Sequence, residues 1–286
     1  MIGYSSTSFA QDKSAANNDK KLSPGEIIKL APENHWQPID PNNTLYIELE
    51  SGRVIVELNP QLAPNHAEQF RQLANENFYQ GLNFYRFVEN FVAQGGDMLE
   101  KRQVKRAKQT IESERIHQAQ TSLPVTYLES GDGYAKDTGF LNGFALGADK
   151  VKKQYWQTHC PGAFAMARSN DPHSGGTEFY IVIGQAPRYL DKNLTVFGQV
   201  RQGIEHINTL TRRPVTDEKT GQFDNKIKTI SLASELPLEQ RTPLMKMDTA
   251  SSSFKALIAS RMNRPNEFFI ERPDYVDVCG VTVPVK

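Results

Sequence analysis

The sequence predicts a mainly β fold, in which short antiparallel strands close into a barrel that two helices cap. Two observations support this prediction. Short segments of alternating apolar residues recur with turn signals between them, and only two segments within that pattern have helical spacing. This pattern favours a closed antiparallel barrel over a parallel sheet. The strand candidates are residues 45–49, 54–58, 83–88, 91–94, 163–167, 179–183, 196–200 and 227–232.

The first two strand candidates are joined by a tight turn. Apolar residues alternate from residue 45 to 49 and again from 54 to 58, on either side of Ser51-Gly52. Two alternating runs around a two-residue turn that contains glycine are typical of a β-hairpin.

The longer helix candidate covers residues 65–76. Pro64-Asn65 opens it, Asn65 is the expected N-cap, and Glu68 follows at capping-box spacing. Its apolar residues fall on one face. The second, shorter helix candidate covers residues 204–210. These two segments are the expected barrel caps.

Composition narrows the class of partner. The 286 residues are 38% hydrophobic and 23% charged, and 33 basic residues balance 33 acidic ones. This is an ordinary composition for a globular protein, and the net charge gives no reason to expect nucleic acid or an anionic membrane surface as a partner. No run approaches the roughly 20 apolar residues of a membrane helix. The partner must therefore be identified from a site.

Three parts of the chain lie outside the barrel pattern. A polar N-terminal extension covers residues 1–43, and a C-terminal extension with a helix near 253–261 covers residues 234–286. The domain between them, residues 44–233, carries an insert at about 99–160. We expect a charged helix over 101–118 in this insert, followed by a Gly-rich loop with glycines between 131 and 147.

The N-terminal segment and the two cysteines do not decide in which cellular compartment the protein works. Met1–Lys21 is polar and lacks the apolar core of a signal peptide. One interpretation is a cytoplasmic protein with a disordered tail, and the other is an exported protein whose signal has been removed. Cys160 and Cys279 are compatible with one disulfide or with two reduced thiols.

Other charged and polar groups predict no further site. The six histidines lack metal-ligand spacing, and Cys160 has no motif of a Cys–His nucleophile. A basic cluster is expected to line a solvated helix face opposite Glu112 and Glu114, with nucleic-acid binding as the alternative. The members of this cluster are Lys101, Arg102, Lys105, Arg106 and Lys108.

The segment Phe84–Asp97 (FYRFVENFVAQGGD) is the most informative. Alternation predicts Phe84, Arg86 and Val88 on one strand face, so that a guanidinium lies among apolar neighbours. Arginine is seldom placed so unless it is paired or used. Taken alone, such a residue is more often part of an ion pair at a barrel rim.

The same segment resembles the cyclophilin motif F-H-R-x-x-x-x-F-x-x-Q-G-G-D, with Tyr85 where His is frequent. Two further segments are similar to this family in the same order. Gly162–Gly184 (GAFAMARSNDPHSGGTEFYIVIG) resembles its G-x-x-x-M-A segment, Gly-rich loop and S/T-Q-F-F strand, and Tyr189–Val200 (YLDKNLTVFGQV) resembles W-L-D-x-x-x-x-V-F-G-x-V. The resemblance covers roughly residues 45–232, with a longer 99–160 stretch than in compact members. It implies a closed eight-stranded antiparallel barrel and a peptidyl-prolyl cis/trans isomerase.

The resemblance also implies the site. Arg86 is the donor that acts on the prolyl amide and Gln94 holds the substrate carbonyl. The implied substrate-binding residues are Phe91, Val92, Ala167, Arg168, Glu178, Tyr180, Tyr189, Leu190 and Leu194. Five of these depart from the family: Val92 stands where Met is common, Glu178 replaces Gln, Tyr180 replaces Phe, Tyr189 replaces Trp and Leu194 replaces His. Glu178 is expected to add a charge beside the groove.

The implied chemistry requires neither cofactor nor metal. Rotation about an X–Pro bond faces a barrier of about 18–20 kcal/mol because the amide resists loss of conjugation. Binding the twisted amide more tightly than the planar forms lowers that barrier. Donors in a partly dry site, such as Arg86, provide such binding.

The remaining expectations also follow from the resemblance. Extended cyclophilin-like proteins of Gram-negative bacteria are similar in their Asn263–Phe269 tail and exported form, which implies a Cys160–Cys279 disulfide that pins the tail to the barrel. We therefore expect a periplasmic, monomeric folding catalyst that acts on proline-containing polypeptides, with a cytoplasmic location as the alternative. The rival hypotheses are a proline-peptide-binding or chaperone module with little turnover, and a scaffold assembled through the insert and tail.

Overall fold

The computed structural model describes residues 21–214, 216–217 and 222–286, so the polar tract predicted before residue 21 lies outside it. No helix of these ranges is long and apolar enough to cross a membrane. The helices are α1 (Pro24–Leu30), α2 (Pro64–Asn75), α3 (Ile204–Asn208) and α4 (Ser252–Met262). The strands are β1 (Trp36–Pro38), β2 (Thr44–Glu48), β3 (Arg53–Leu58), β4 (Asn83–Val88), β5 (Val92–Gly96), β6 (His117–Gln118), β7 (Thr126–Tyr127), β8 (Asp137–Leu141), β9 (Phe144–Asp149), β10 (Gln154–Gln157), β11 (Ala163–Met166), β12 (Phe179–Val182), β13 (Val196–Gln202), β14 (Thr216–Asp217), β15 (Gln222–Phe223), β16 (Thr229–Leu232) and β17 (Met245–Met247).

Eight strands form one curled antiparallel sheet in the order β16-β2-β3-β13-β11-β12-β5-β4. The predicted hairpin at residues 45–58 is confirmed as β2 and β3. The edge strand β4 bonds to the segment just before the other edge strand, β16: Ile227 N donates to Leu82 O (2.7 Å) and Phe84 N donates to Asn225 O (3.0 Å). Beyond that point β16 pairs with β2 alone. The predicted closed barrel is therefore wrong in this respect, and the sheet is open along its last edge.

Aromatic side chains fill the inside of the curled sheet. Phe70 of α2 lies with its ring centroid 4.8 Å from that of Phe197 and 5.1 Å from that of Phe164. Phe179 is 5.1 Å from Phe164, and all four rings are fully buried. Tilted and edge-on ring pairs at such distances stabilise a core beyond the burial of their area. This core fixes β11, β12 and β13, which carry part of the candidate site.

The start of α2 differs from the prediction. The helix begins at Pro64, and its N-cap, Ala63, makes no side-chain cap bond, so the predicted capping box of Asn65 and Glu68 is wrong. Glu114 of the insert serves instead. Its carboxylate accepts from Asn65 N (3.0 Å) and from His66 N (2.9 Å). A carboxylate at this helix end satisfies free N–H groups and complements the helix dipole.

The predicted helix over residues 101–118 is also wrong, because this stretch runs as bends and irregular backbone and ends in the short strand β6. The carboxylate of Glu76 accepts from the backbone N–H groups of Lys105, Arg106 and Ala107. These donors are therefore bound to a side chain rather than to carbonyls of a helical turn. The basic cluster does not line a helix face, and Glu114 faces α2 instead.

The predicted Gly-rich loop between residues 131 and 147 is largely a β-hairpin. Strands β8 and β9 pair across Asn142-Gly143, where both residues have positive φ (49° and 86°). Asn-Gly is the preferred pair for such a turn because both residues tolerate this backbone region. This hairpin is the centre of a five-stranded sheet in the order β6-β10-β9-β8-β7.

A second core joins the N-terminal segment, the insert and the C-terminal extension. Ile27 of α1, Phe140 of β8 and Phe254 of α4 belong to one buried cluster, and β1 pairs with β17. The predicted tail helix near 253–261 is confirmed as α4. Cys160, which precedes β11, is bonded to Cys279 of the tail (Sγ–Sγ 2.03 Å). Cys160 is part of this second core and Cys279 packs against it, so the disulfide joins the tail to the start of β11 within the second core.

Candidate active site

The pairing of β4 with β5 brings three polar side chains together. Arg86 lies directly opposite Gln94, and one extra residue in β4 shifts the register between Asn83 and Arg86. The guanidinium Nη1 of Arg86 donates to Gln94 Oε1 (3.2 Å), while Gln94 Nε2 donates to the hydroxyl of Tyr85 (2.5 Å). Hydrogen bonds therefore hold both the oxygen and the nitrogen of the Gln94 amide. Its oxygen must face Arg86, because a guanidinium can only donate.

Because of this extra residue in β4, the prediction that Phe84 and Arg86 share one strand face is wrong. Phe84 and Phe87 are both buried in the main core, whereas Arg86 is exposed. Strict alternation would place Phe84 and Arg86 on one face, but an extra residue in one strand changes the phase of its side chains. Arg86 thus points away from the core, toward a surface cavity.

That cavity measures ≈ 170 Å³ and brings together nine of the eleven residues predicted from the sequence. No residue of the 99–160 insert lines it. Its lining residues are Arg86, Phe91, Val92, Gln94, Ala167, Arg168, Tyr180, Leu190 and Leu194.

The apolar part of the cavity is built on paired strands. Val92 of β5 and Tyr180 of β12 are 2% and 4% exposed, and Tyr180 lies opposite Gln94 in the ladder. Leu190 ends a short 3-10 helix at Arg188–Leu190, and Leu194 N donates to Leu190 O (3.2 Å). The polar pair of Arg86 and Gln94 therefore stands at one side of an apolar depression.

Arg168 lies at the other rim of the cavity. Its guanidinium donates to Asn193 O (2.8 Å) and to Ser169 O (2.7 Å), so its position is set by backbone carbonyls. Next to it, Ala167 N donates to Glu178 O (2.9 Å), which continues the pairing of β11 with β12.

Two predicted site residues do not line the cavity. Tyr189 is 60% exposed beside it. Glu178, expected to add a charge beside the groove, turns its carboxylate toward the backbone at Gly96, where both oxygens are buried and make no hydrogen bond of normal geometry. Gly96 has φ 138° and no Cβ, and a Cβ there would collide with this carboxylate. The charge is thus placed behind Arg86 and Gln94.

The environment of Glu178 changes its protonation. Burial raises the pKa of its carboxyl from 4.5 to about 7. The Tyr85 hydroxyl and the Asp97 backbone N–H oppose this shift, although neither meets hydrogen-bond geometry, and the negative charges of Asp97 and Glu100 add to it. Burial also raises the pKa of Tyr85 well above its ordinary value of 10.0, so Tyr85 stays neutral.

A buried polar network under the cavity was not anticipated from the sequence. His159, fully buried, bonds through Nδ1 to Asp191 (2.9 Å) and through Nε2 to the hydroxyl of Tyr180 (2.8 Å). Asp191 also accepts from Arg188 Nε (2.5 Å), and Arg188 Nη1 donates to Asp132 of the insert (2.7 Å). These contacts join residues up to 56 positions apart, so no local signal in the sequence identifies them.

The described residues form no cluster of metal ligands. Across residues 21–214, 216–217 and 222–286, no group of three or more His, Cys, Asp or Glu side chains is arranged to hold a metal ion. Cys160 is held in the disulfide and is not available as a thiol.

Comparison with known proteins identifies the family. The family model described as "Cyclophilin type peptidyl-prolyl cis-trans isomerase/CLD" matches residues 44–232. A probable peptidyl-prolyl cis-trans isomerase of Brucella suis is 28% identical over 197 residues, or 68% of this chain and 84% of the relative. Peptidyl-prolyl cis-trans isomerase B of Bacillus subtilis is 30% identical over 176 residues, or 61% of this chain and 95% of the relative.

Among solved structures, cyclophilin AquaCyp293 of Hirschia baltica matches with a TM-score of 0.71 and 26% identity, and the match covers 88% of this chain and 92% of that one. The agreement thus extends beyond the main sheet into the insert and the two terminal segments. Since the matched family segment contains every strand that borders the cavity, this chain belongs to the cyclophilin-type peptidyl-prolyl cis-trans isomerases.

Proposed function

We propose that the cavity beside Arg86 is the active site, and that it rotates X–Pro bonds in proline-containing polypeptides. One observation carries the proposal: a guanidinium, oriented by Gln94, stands at the side of an apolar depression. No covalent bond is made or broken in this reaction. The protein therefore has two tasks, to hold the proline ring and to stabilise the twisted amide.

The apolar side chains hold the ring. Val92, Tyr180 and Leu190 surround a space of ≈ 170 Å³, and two of them are fixed by strand pairing. A pyrrolidine ring buried there is kept still while the peptide on the other side of the amide turns. Burial contributes about 0.8 kcal/mol for each CH₂ group removed from water.

The polar side stabilises the twisted amide. When the X–Pro bond rotates, the prolyl nitrogen loses conjugation and becomes a better hydrogen-bond acceptor. The Arg86 guanidinium donates to it more strongly than to the planar nitrogen, which lowers the barrier. Gln94 keeps the guanidinium in place and offers its amide to the neighbouring substrate carbonyl. Ala167 and Arg168, at the opposite rim, are placed to pair with the peptide backbone.

The test is a prolyl isomerisation assay on a short X–Pro peptide. We expect Arg86→Ala to lower kcat/KM by about 100-fold or more, the usual effect of removing one oriented donor. Arg86→Lys should retain only part of the rate, because an ammonium lacks the planar fork of a guanidinium. Arg213→Ala, a change of an exposed arginine outside the cavity, is the matched control.

Two results would contradict the proposal. Tight binding of the peptide by the wild-type protein without acceleration would support a binding module with little turnover. Full activity of a folded Arg86→Ala protein would place the chemistry elsewhere.

For the location, we propose the periplasm and, as substrates, extracytoplasmic polypeptides during folding. The Cys160–Cys279 bond supports this, because disulfides persist in oxidising compartments and are rare in the cytoplasm. The test is thiol counting on protein taken from its own host and denatured without reductant. We expect no free thiol in the periplasmic fraction, and two free thiols would contradict the proposal.

A further inference from the structure

The carboxyl group of Glu178 and the hydroxyl of Tyr85 lie close enough to influence each other's pKa, although they form no hydrogen bond of normal geometry. Tyr85 precedes Arg86 in β4, and Glu178 immediately precedes β12. Tyr85 is half-buried, and its hydroxyl accepts a hydrogen bond from Gln94 Nε2 (2.5 Å). Neither residue lines the cavity. The hydrogen bond from Gln94 therefore connects Tyr85 to the proposed catalytic step.

The Gln94 amide has one productive orientation. Its oxygen must face Arg86 and its nitrogen must face Tyr85. A flipped amide would point an N–H group at the guanidinium, where donor meets donor. The flip is prevented as long as the Tyr85 hydroxyl presents a lone pair, rather than its proton, to Gln94 Nε2.

The carboxylate of Glu178 determines where the proton of that hydroxyl points. Both of its oxygens are buried, and the titratable groups that face it are Tyr79, Tyr85, Asp97 and Glu100. The hydroxyl of Tyr79 already donates to Thr177 O (2.8 Å), and Asp97 accepts from Arg102 N (2.5 Å). Among these four side chains, Tyr85 is the neutral donor left for the Glu178 carboxylate.

We propose that Tyr85 and Glu178 are positioning residues, through which the ionised Glu178 carboxylate orients Gln94 and thereby Arg86. The ionised carboxylate attracts the Tyr85 proton and leaves the hydroxyl lone pairs for Gln94. A protonated Glu178 instead competes as a donor to the Tyr85 oxygen. Gln94 then loses its acceptor, and Arg86 loses a fixed partner.

The ionisation of Glu178, and with it the orientation of Gln94, changes near neutral pH. Burial raises the pKa of Glu178 to about 7, and Asp97 and Glu100 act in the same direction. A carboxyl group with a pKa of about 7 is about one-tenth ionised at pH 6 and about nine-tenths ionised at pH 8. The fraction of protein with an oriented Gln94 rises accordingly between these two values.

The experiment measures kcat and KM from pH 6 to pH 8 on an X–Pro peptide without titratable groups. We expect kcat/KM of the wild-type protein to rise by up to about tenfold, mainly through kcat, since orientation acts on the transition state. Glu178→Gln and Glu178→Leu should both flatten the profile, with Leu the slower because it offers Tyr85 no acceptor. Tyr85→Phe should also give a flat and lower profile. Glu205→Gln, a change of an exposed carboxylate in α3, should keep the wild-type slope.

A thermal measurement shows independently whether Glu178 titrates in this range. Its pKa is raised on folding, so its favourable contribution to stability is present below pH 4.5 and is lost as the pH rises through 7. The Tm of Glu178→Gln should therefore exceed that of the wild type by more at pH 8 than at pH 6.

This inference rests on the proposed function, but different experimental results would contradict each of them. Absence of isomerase activity at every pH would contradict the proposed function itself. An active wild-type protein with a flat profile, or a Glu178→Gln protein that keeps the slope, would overturn the role of Glu178. Wild-type kinetics in Tyr85→Phe would overturn the role of Tyr85.

Discussion

Arg86 owes its place to one extra residue in β4. Because of the shift between Asn83 and Arg86, Phe84 and Phe87 enter the core together while Arg86 turns outward, opposite Gln94. A regular strand would have left Arg86 on the face of Phe84. Irregularities of this kind commonly redirect a side chain next to an active site. The position of the Arg86 guanidinium beside the cavity therefore depends on how the backbone of β4 pairs with β5.

Tyr180 also has two parts with separate tasks. Its ring lines the cavity, and its hydroxyl bonds to Nε2 of the fully buried His159 (2.8 Å). With the Nδ1 proton donated to Asp191, His159 Nε2 accepts from the Tyr180 hydroxyl. The hydroxyl is thus part of the buried network and the ring is part of the site.

We therefore predict that Tyr180→Phe lowers stability more than activity. Loss of the hydroxyl leaves His159 Nε2 buried without its donor, which costs about 1–3 kcal/mol in free energy of unfolding. The ring stays in the cavity, so kcat/KM of the folded protein should fall far less than in Tyr180→Ala. Urea denaturation and the isomerase assay measure the two effects. Tyr134→Phe, at a half-exposed tyrosine, is the control. An unchanged free energy of unfolding in Tyr180→Phe would refute this role of the hydroxyl.

At the scale of the elements, the strands of the main sheet were predictable and the insert was not. The hairpin of β2 and β3 follows from alternation, because the core face of a strand repeats every second residue. The charged stretch 101–118 contained no comparable pattern. Its backbone is organised by the distant carboxylate of Glu76, and a contact of this kind leaves no periodic signal in the sequence.

The hairpin of β8 and β9 shows a signal that was present and misjudged. Glycines between 131 and 147 indicate a loop when they are only counted, yet Asn142-Gly143 is a turn that pairs two strands. The start of α2 shows the opposite case. Asn65 and Glu68 have the right spacing for a cap, but Glu114 supplies the acceptors.

The candidate site was predicted by resemblance more than by pattern. Nine of the eleven predicted residues line one cavity, although alternation alone placed Arg86 on the wrong face. The direction of Glu178 was beyond prediction because it depends on the backbone at Gly96, where positive φ and a missing Cβ admit the carboxylate. His159 and Asp191 were missed because their contact exists only after folding.

At the scale of the whole molecule, the second core and the site are connected by polar contacts. Arg188 bonds to Asp132 of the insert and to Asp191, and it lies 4.0 Å from Asp277 of the tail. Asp191 leads through His159 to Tyr180 in the cavity. The insert and the tail are therefore linked to the cavity through this network, whereas the cavity itself is lined by the main sheet and the loops next to its strands, including those after β11 and β12.

The Cys160–Cys279 disulfide should accordingly contribute to stability rather than to catalysis. The two cysteines are 119 residues apart, and in the chain-entropy account a bond closing a loop of this size contributes about 4–5 kcal/mol to the free energy of unfolding. We predict a loss of about this size in urea denaturation of Cys160→Ala/Cys279→Ala, with kcat/KM of the folded variant close to wild type. Reductant should destabilise the wild type to a similar extent and leave the variant unchanged, which separates loss of the bond from loss of the side chains. A folded double variant with impaired isomerase activity would show instead that the tail positions the cavity residues through Arg188 and Asp191.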